Sequence, residues 1–189
     1  MKYLSKIVVA LAVMQFLASA AYSMEQVPKP VSCHQFPEHE SVICKRENDG
    51  RIVVSNESLK IMHFSHDGMG AIFVDGLGLY FVSREGKTQP AFVFDNGPDL
   101  FVEGLALTVH DKKMGFVNRQ LDQVIAPVWD FAFPFEHGLA VVCKGCSSVS
   151  KDEHETIVGG KWGYINTQGK VVVPVTYESQ NLPPSDTVK

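Results

Sequence analysis

The stretch that decides the fold lies near the carboxyl terminus and reads KWGYINTQGKVVVPV over residues 161–175. Asn166 and Gly169 bracket a short turn, because asparagine and glycine tolerate the left-handed backbone of hairpin turns. Pro174 has no backbone N–H and marks the exit of the second strand. Gly163 stands between two aromatic residues, which indicates either a close backbone approach or a neighbouring ring that covers the gap. The stretch therefore predicts a β-hairpin.

The same pattern occurs earlier in the chain, which predicts an internal repeat. The segment FVEGLAL at 101–107 recurs as FEHGLAV at 135–141. MGFVN at 114–118 recurs as WGYIN at 162–166, and the proline-containing strand that follows recurs with it. The second pair of segments is farther apart in the sequence than the first pair. An insertion therefore lies between Leu139 and Lys161, and its polar composition predicts an exposed loop over about residues 143–160.

Short runs of β-branched and aromatic residues recur about every ten residues, with turn-forming residues between them. No window of 12 or more residues has helical periodicity. Even spacing of this kind is typical of an all-β fold. We predict consecutive antiparallel hairpin repeats that form a curved sheet array, with a small incomplete propeller or barrel as the alternative. The predicted strands are 41–44, 51–54, 60–64, 71–74, 79–82, 91–94, 105–109, 115–117, 124–126, 139–143, 162–165 and 171–173.

These residues resemble the WG β-repeat (WG-containing repeat) of bacterial proteins over about residues 77–178. The resemblance implies that the motif residues are structural, and it implies no particular enzymatic activity. Each unit of a hairpin and one further strand is too small to bury its own apolar face, so neighbouring units must stack. The structural motif residues are Gly104, Gly115, Phe116, Gly138, Trp162, Gly163 and Tyr164.

The amino terminus has the pattern of a secretory signal. Two lysines precede an apolar stretch over residues 7–17, and small residues at 18–23 offer a cleavage site. The apolar stretch is shorter than the roughly 20 residues that span a bilayer, so an uncleaved anchor is the weaker alternative. We predict a signal peptide at 1–23, an extended leader at 24–41, a β-repeat domain at 42–178 and a flexible tail at 179–189. The protein is then exported, and it is periplasmic or secreted.

Composition and charge exclude several classes of function. The 189 residues are 45% hydrophobic and 20% charged, with a net charge of −4, which is a globular composition. Removal of residues 1–23 takes away two lysines and no acidic residue, so the net charge becomes −6. This charge argues against nucleic acid as a partner. Because the sequence has no apolar run of membrane-spanning length after the amino terminus, we expect no stable membrane insertion.

Four cysteines follow the predicted signal peptide, and in an oxidising compartment they predict two disulfides. Sequence proximity favours Cys33 with Cys44 and Cys143 with Cys146, because a short loop loses less entropy on closure. The alternative pairing ties the leader to the insertion. Cys143 and Cys146 also form a C-x-x-C motif, which thiol-redox enzymes place at the start of a helix. Zinc needs two further ligands, and the sequence offers no second motif of suitable spacing.

The sequence contains no recognisable catalytic site or cofactor loop, so we predict no enzyme activity and no cofactor or metal. His63 and Asp67 stand in a predicted strand and turn, where histidines are usually surface residues. Aromatic and acidic residues recur at matching positions of two units, where they either form a ligand surface for sugar rings or peptide strands or belong to the core and its turns. The candidates for this surface are Asp95, Asp99, Trp129 and Asp130.

Two functions from different classes follow from these patterns. The first is an exported, non-enzymatic module that binds a protein or a cell-envelope polymer, or that has a structural role there. The second is a hydrolase or thiol-redox factor that uses the Cys143/Cys146 loop or the His63–Asp67 region. The absence of a nucleophile motif from the sequence favours the first.

Export makes a direct prediction about the mature amino terminus. We expect cleavage between residues 20 and 23, because the small residues there follow the apolar stretch at the usual distance. Amino-terminal sequencing of the protein recovered from fractionated cells measures this. A cytoplasmic protein that retains Met1 would contradict the prediction.

Overall fold

The computed structural model describes residues 30–94, 97–151 and 154–188, and these residues are mostly β. Strands account for 55% and helices for 8% of the structure, which confirms the predicted all-β class and its consecutive antiparallel hairpins. The predicted signal peptide at 1–23, the first residues of the leader and Asp95 lie outside the described residues.

The first third of the described chain forms one five-stranded sheet, a two-stranded ribbon and a short helix. The sheet has the order β2-β1-β5-β6-β7, and the ribbon pairs β3 with β4. The elements are β1 (Cys33–Gln35), β2 (Ser41–Val42), β3 (Cys44–Arg46), β4 (Ile52–Val54), α1 (Asn56–Ile61), β5 (Met69–Val74), β6 (Gly78–Ser83) and β7 (Thr88–Pro90).

Two further sheets follow, and both repeat the antiparallel arrangement of the last three strands of the first sheet, β5, β6 and β7. A two-stranded ribbon, β8 (Val93–Phe94) with β9 (Gly97–Pro98), precedes them. The second sheet has the order β10-β11-β12, and the third has the order β13-β14-β15-β16. Their strands are β10 (Leu105–His110), β11 (Lys113–Asn118), β12 (Gln123–Trp129), β13 (Phe131–Ala132), β14 (Leu139–Lys151), β15 (His154–Asn166) and β16 (Val171–Tyr177).

The extended leader predicted for 24–41 is wrong for its described part. Strand β1 pairs with both β2 and β5, so this segment lies inside the first sheet. Cys33 and Gln35 of β1 are buried. The strand is very short and Pro37 follows it closely, so its sequence shows no alternation over the roughly four to eight residues that identify a strand.

The strand predicted at 60–64 is also wrong, because α1 occupies the first part of this segment. The Ser55 side chain caps the helix by accepting a hydrogen bond from the Ser58 N–H at 3.2 Å. Serine is a favoured residue at this position. A helix of this length is too short to show a helical period, which explains why the pattern did not reveal α1.

Three equivalent turns join the second and third strands of the repeated units, which are β5-β6-β7 in the first unit, β10-β11-β12 in the second and β14-β15-β16 in the third. In each turn, the N–H of the first residue donates a hydrogen bond to the carbonyl oxygen of the fourth residue after it, as from Asn118 to Asp122 and from Asn166 to Lys170. The Asn166 Oδ1 atom also accepts from the Lys170 N–H at 2.9 Å. Gly169 has a positive φ of 76°, which confirms the predicted left-handed residue. Leu121 takes this conformation in the second unit and is fully buried against the first unit.

The motif glycines allow the third strand of a unit to approach the second. A Cβ atom on Gly163 would lie 2.5 Å from the Val173 carbonyl oxygen, a separation that real side chains do not reach. A Cβ atom on Gly115 would meet the Ile125 oxygen in the same way. The ladder register shifts at both positions, so the third strand bulges toward the glycine. The predicted close backbone approach is confirmed.

Trp162 of the third sheet packs against the aromatic residues that precede β14. The Trp162 side chain is 5% exposed. Its ring lies 6.5 Å from the Phe131 ring and 6.4 Å from the Phe133 ring, measured between centroids. Phe116 of the second sheet packs on Phe135 at 4.7 Å, so one apolar cluster joins the two sheets. Adjacent units therefore bury their faces against each other.

The insertion is a two-stranded arm, and the prediction of a loop at 143–160 is wrong. Strands β14 and β15 have 13 residues each and pair from Leu139↔Asn166 to Lys151↔His154. The predicted position of the insertion is correct, since β10 and β11, the equivalent strands of the preceding unit, are less than half as long. The strands of the arm carry many serines and lie mostly exposed, so they lack the apolar alternation of a half-buried strand.

The carboxyl-terminal segment is tied to the third sheet rather than free along its length. Two 3-10 turns, Ser179–Asn181 and Ser185–Thr187, follow β16. The Tyr164 hydroxyl donates a hydrogen bond to the Pro183 carbonyl oxygen at 3.0 Å. The flexible tail predicted at 179–189 is therefore anchored at Pro183.

The glycine contacts predict the effect of adding one methyl group. We expect Gly163→Ala to lower the free energy of unfolding by about 2 to 4 kcal/mol, because the new Cβ forces the bulged strand outward. Gly97→Ala is the matched control, since its Cβ would make an ordinary contact of 3.6 Å with Phe36. Chemical denaturation followed by circular dichroism measures both variants. Equal stability of the two would show that the close approach is unimportant.

Candidate functional site

A cavity of about 470 Å³ lies beside the first sheet, between the β1–β2 turn, the segment after α1 and the segment that joins β9 to β10. We call it the phenylalanine cavity, because four phenylalanines line it together with a few polar side chains. A volume of this size suits a ligand of side-chain or small-molecule dimensions. The phenylalanines are Phe36, Phe64, Phe81 and Phe101.

The wall of the cavity on the β1 side is fixed by a buried amide. The Gln35 side chain donates to the His63 carbonyl oxygen and accepts from the His63 N–H, both at 3.1 Å. These two bonds hold the segment after α1 against β1. Gly70 lets the Phe64 ring lie on strand β5, because a Cβ atom there would come within 3.1 Å of the ring. The wall is therefore set by the fold rather than by flexible surface groups.

The opposite wall is built around Asp99, which is 6% exposed. Its carboxyl oxygen accepts a hydrogen bond from the Leu107 N–H at 2.9 Å, which ties the segment after β9 to strand β10. Burial raises the pKa of Asp99, and hydrogen bonds from the backbone of Leu107 and Leu100 oppose this rise. Phe101 packs on Phe81 with 5.2 Å between ring centroids. Asp99 therefore positions the aromatic wall and also faces the cavity.

Charged side chains surround the mouth of the cavity. Asp67 forms an ion pair with Arg119 and accepts a hydrogen bond from the Ser65 hydroxyl. The Ser65 hydrogen bond and then the Arg119 hydrogen bond hold the pKa of Asp67 below its ordinary value. The Arg119 guanidinium also stacks over the Phe101 ring at 5.1 Å. Asp67 and Arg119 thus join the first unit to the second at the mouth.

An acidic and a basic group on the other side of the mouth come from the β1–β2 turn and the segment after α1. The Glu38 carboxylate lies 3.6 Å from the His63 Nδ1 atom, and the His63 side chain is the more exposed of the two. Arg84, which follows β6, stacks over the Phe64 ring at 4.8 Å. Two of the four cavity rings, Phe64 and Phe101, therefore have an arginine of the protein over one face.

The structure brings some of the predicted site residues together and separates others. Asp99, His63 and Asp67 all line the phenylalanine cavity, although the sequence placed Asp99 in a different candidate site from the His63–Asp67 region. His63 and Asp67 engage different partners there. Gln35 and the four phenylalanines could not be identified as site residues from the sequence, because their convergence depends on the packing of separate elements.

Trp129 and Asp130 do not form the predicted ligand surface. Trp129 is 5% exposed and belongs to the core, with the Lys144 ammonium over its ring at 5.1 Å. Asp130 pairs with Lys113 and accepts from the Gly145 N–H at 2.7 Å, so it fixes the base of the arm. The Lys113 hydrogen bond, followed by the Gly145 hydrogen bond, lowers the pKa of Asp130. Trp129 is therefore a core residue, and Asp130 is a structural contact at the base of the arm.

Both predicted disulfides are present, Cys33–Cys44 and Cys143–Cys146. The second bridge lies within β14, not at the start of a helix, and a Cβ atom on Gly160 would come within 2.6 Å of the Cys143 Sγ atom. The facing strand thus packs directly on the bridge. In the described part of the chain, no group of three or more histidine, cysteine, aspartate or glutamate side chains is arranged to hold a metal ion.

Comparison with known families identifies the repeat. The WG containing repeat matches residues 114–145 and 162–179, which cover the strands from β11 to the first half of β14 and the last hairpin. No curated protein and no solved structure matches the chain. No helix within residues 30–94, 97–151 or 154–188 is long and apolar enough to cross a membrane.

The contacts of Asp130 predict a dependence of stability on pH. Because its folded pKa is lowered, its contribution is present above the unfolded value of about 3.9 and is lost as pH falls through the folded pKa. We expect Asp130→Asn to lower the melting temperature by a few degrees at pH 7, and the difference from wild type to shrink below about pH 4. Asp75→Asn, on an exposed turn, is the control. A pH-independent difference would contradict this role for the Asp130 charge.

Proposed function

We propose that this protein, whose chain carries WG-containing repeats, is an exported, non-enzymatic module that binds a protein or a cell-envelope polymer through the phenylalanine cavity. The observation that carries the proposal is the cavity itself, which combines four aromatic rings with a few polar groups held by hydrogen bonds. Concave, largely apolar sites with a small number of placed polar groups are the usual form of a binding site.

The rigidity of the walls supports binding. Gln35 is buried and fully bonded to the His63 backbone, and the buried Asp99 accepts from the Leu107 N–H. A ligand that enters such a site orders few protein groups, which reduces the entropy lost on association. More of the free energy gained from contacts with the ligand is therefore available for affinity.

The disulfides support export. Disulfide bonds persist in oxidising compartments and are rare in the cytosol. Cys33–Cys44 joins the first sheet to its ribbon, and Cys143–Cys146 lies at the base of the exposed arm. Two bridges at the two ends of the repeat array suit a protein that functions outside the cytoplasm.

The partners of the polar groups favour binding over catalysis. A general base needs to lie within hydrogen-bond reach of a nucleophile or a substrate proton. Asp67 is engaged by Arg119 and Ser65, His63 lies beside Glu38, and Cys143 is both buried and bridged. Each of these candidate catalytic groups therefore makes a contact within the protein itself.

A capture experiment with two surface variants tests the cavity as the binding site. Leu100 lines the mouth and is 75% exposed, so Leu100→Asp changes the mouth without disturbing the core. Val149→Asp is the matched control, because Val149 is 47% exposed on the arm. Mature protein and both variants are immobilised, and cell-envelope extract is passed over them. We expect species retained by wild type and Val149→Asp to be lost with Leu100→Asp.

The opposite pattern would contradict the proposal. If Leu100→Asp retains the envelope species and Val149→Asp loses them, the binding surface lies on the arm. Equal retention by all three proteins, or none by any of them, would show that the cavity is not the site.

A further inference from the structure

We infer that the phenylalanine cavity takes a basic side chain, arginine or lysine, of a partner polypeptide. This inference rests on the proposed function and names the chemistry of the ligand. It follows from three observations: the charges that line the cavity, the rings that face it, and the apolar residue exposed at its mouth.

The ionisable lining residues are mostly acidic, whereas Arg84 and Arg119 lie over the Phe64 and Phe101 rings without lining the cavity. Three carboxyl groups line the cavity, those of Glu38, Asp67 and Asp99, and the described lining residues include no lysine or arginine. Asp67 is balanced by Arg119 from outside the cavity. Glu38 and Asp99 have no lysine or arginine partner within the described residues. A cationic group in the cavity would therefore meet acidic partners, and an anionic ligand would meet repulsion.

The rings provide the second part of the site. Aromatic faces attract ammonium and guanidinium groups through the quadrupole of the ring, and the interaction energy is larger when the contact is desolvated. Arg84 and Arg119 already cover one face of the Phe64 and Phe101 rings, at 4.8 Å and 5.1 Å from the ring centroids, so a further cation has to meet the remaining ring faces. Phe81 is almost fully buried, so the rings of Phe36, Phe64 and Phe101 are the ones that suit the aliphatic part of a long basic side chain, which packs along apolar surface while its charged end reaches a polar group.

The mouth indicates a polypeptide rather than a free amine. Leu100 lines the cavity, yet 75% of its surface remains exposed. A small amine inside the cavity would leave this leucine in water. A polypeptide whose basic side chain enters the cavity places its neighbouring residues over Leu100 and buries additional apolar area.

A titration with matched peptides tests the inference. The probes are acetylated, amidated peptides of sequence Ser-Leu-Xaa-Leu-Ser, with arginine, lysine, citrulline or glutamate as Xaa, and butylguanidine as the free cation. Binding is followed by the amide resonances of Gly70 and Phe101 in two-dimensional NMR spectra of the mature protein. We expect the arginine peptide to bind about five to ten times more tightly than its uncharged citrulline analogue, and the glutamate peptide to bind most weakly. Butylguanidine should bind more weakly than the arginine peptide.

Protein variants assign the preference to the cavity. Glu38→Gln removes one lining charge, and Glu40→Gln is the matched control on the same turn outside the cavity. The arginine preference should fall about threefold in Glu38→Gln and remain in Glu40→Gln. It should also weaken as sodium chloride rises from about 50 to 500 mM, whereas citrulline binding should change little.

The outcomes separate this inference from the proposed function. Equal affinity for the arginine and citrulline peptides, tighter binding of the glutamate peptide, or no shift at the cavity with any peptide would overturn the basic side chain as the ligand. The capture of envelope species that depends on Leu100 would survive each of these results. If butylguanidine binds as tightly as the arginine peptide, the inference that the ligand is a polypeptide is overturned, while the inference that it is a cation stands.

Discussion

The repeated units depend on a contact that only glycine permits. At Gly115 and Gly163 the backbone of the third strand lies where any side chain would stand, and the ladder register shifts at both places. Trp129, which pairs with Met114 beyond the bulge of the second unit, is part of the core. Large residues on either side of the glycine, such as Trp162 and Tyr164, then pack on the face that the bulge leaves open.

Contacts between the units extend this constraint along the chain. Leu121, in the turn of the second unit, is buried against residues of the first. The Thr108 hydroxyl donates to the Pro90 oxygen at 2.7 Å, and the Gly138 N–H donates to the Glu103 carboxylate at 2.9 Å. The phenylalanine cavity lies where the first and second units meet, so the same packing that stacks the repeats also shapes the walls held by Asp99.

Periodic features of the fold could be predicted from the sequence, and features that depend on packing between distant segments could not. The repeat, the close approach of Gly163, the left-handed Gly169 and the position of the insertion all follow from local patterns that recur. Strand β1 and helix α1 could not be predicted because both are too short to display a period. The cavity could not be predicted because its lining comes from segments that are distant in the sequence, although the His63–Asp67 region and Asp99 are each candidates on the sequence alone. The sequence groups Trp129 and Asp130 with Asp99 as aromatic and acidic residues of matching units, but their surroundings differ. Trp129 is buried in the core, and Asp130 is bonded to the base of the arm.

The glycine contact within a unit holds the strands that in turn position the cavity. Amide hydrogen exchange measured by mass spectrometry on wild type and Gly115→Ala tests this dependence, because Gly115 pairs with Thr108 and the adjacent Leu107 holds Asp99. We predict that exchange in Gly115→Ala rises at least about tenfold in β12 and also in residues 97–101, the wall of the cavity. Unchanged protection of residues 97–101 in a variant whose β12 strand has become labile would contradict it.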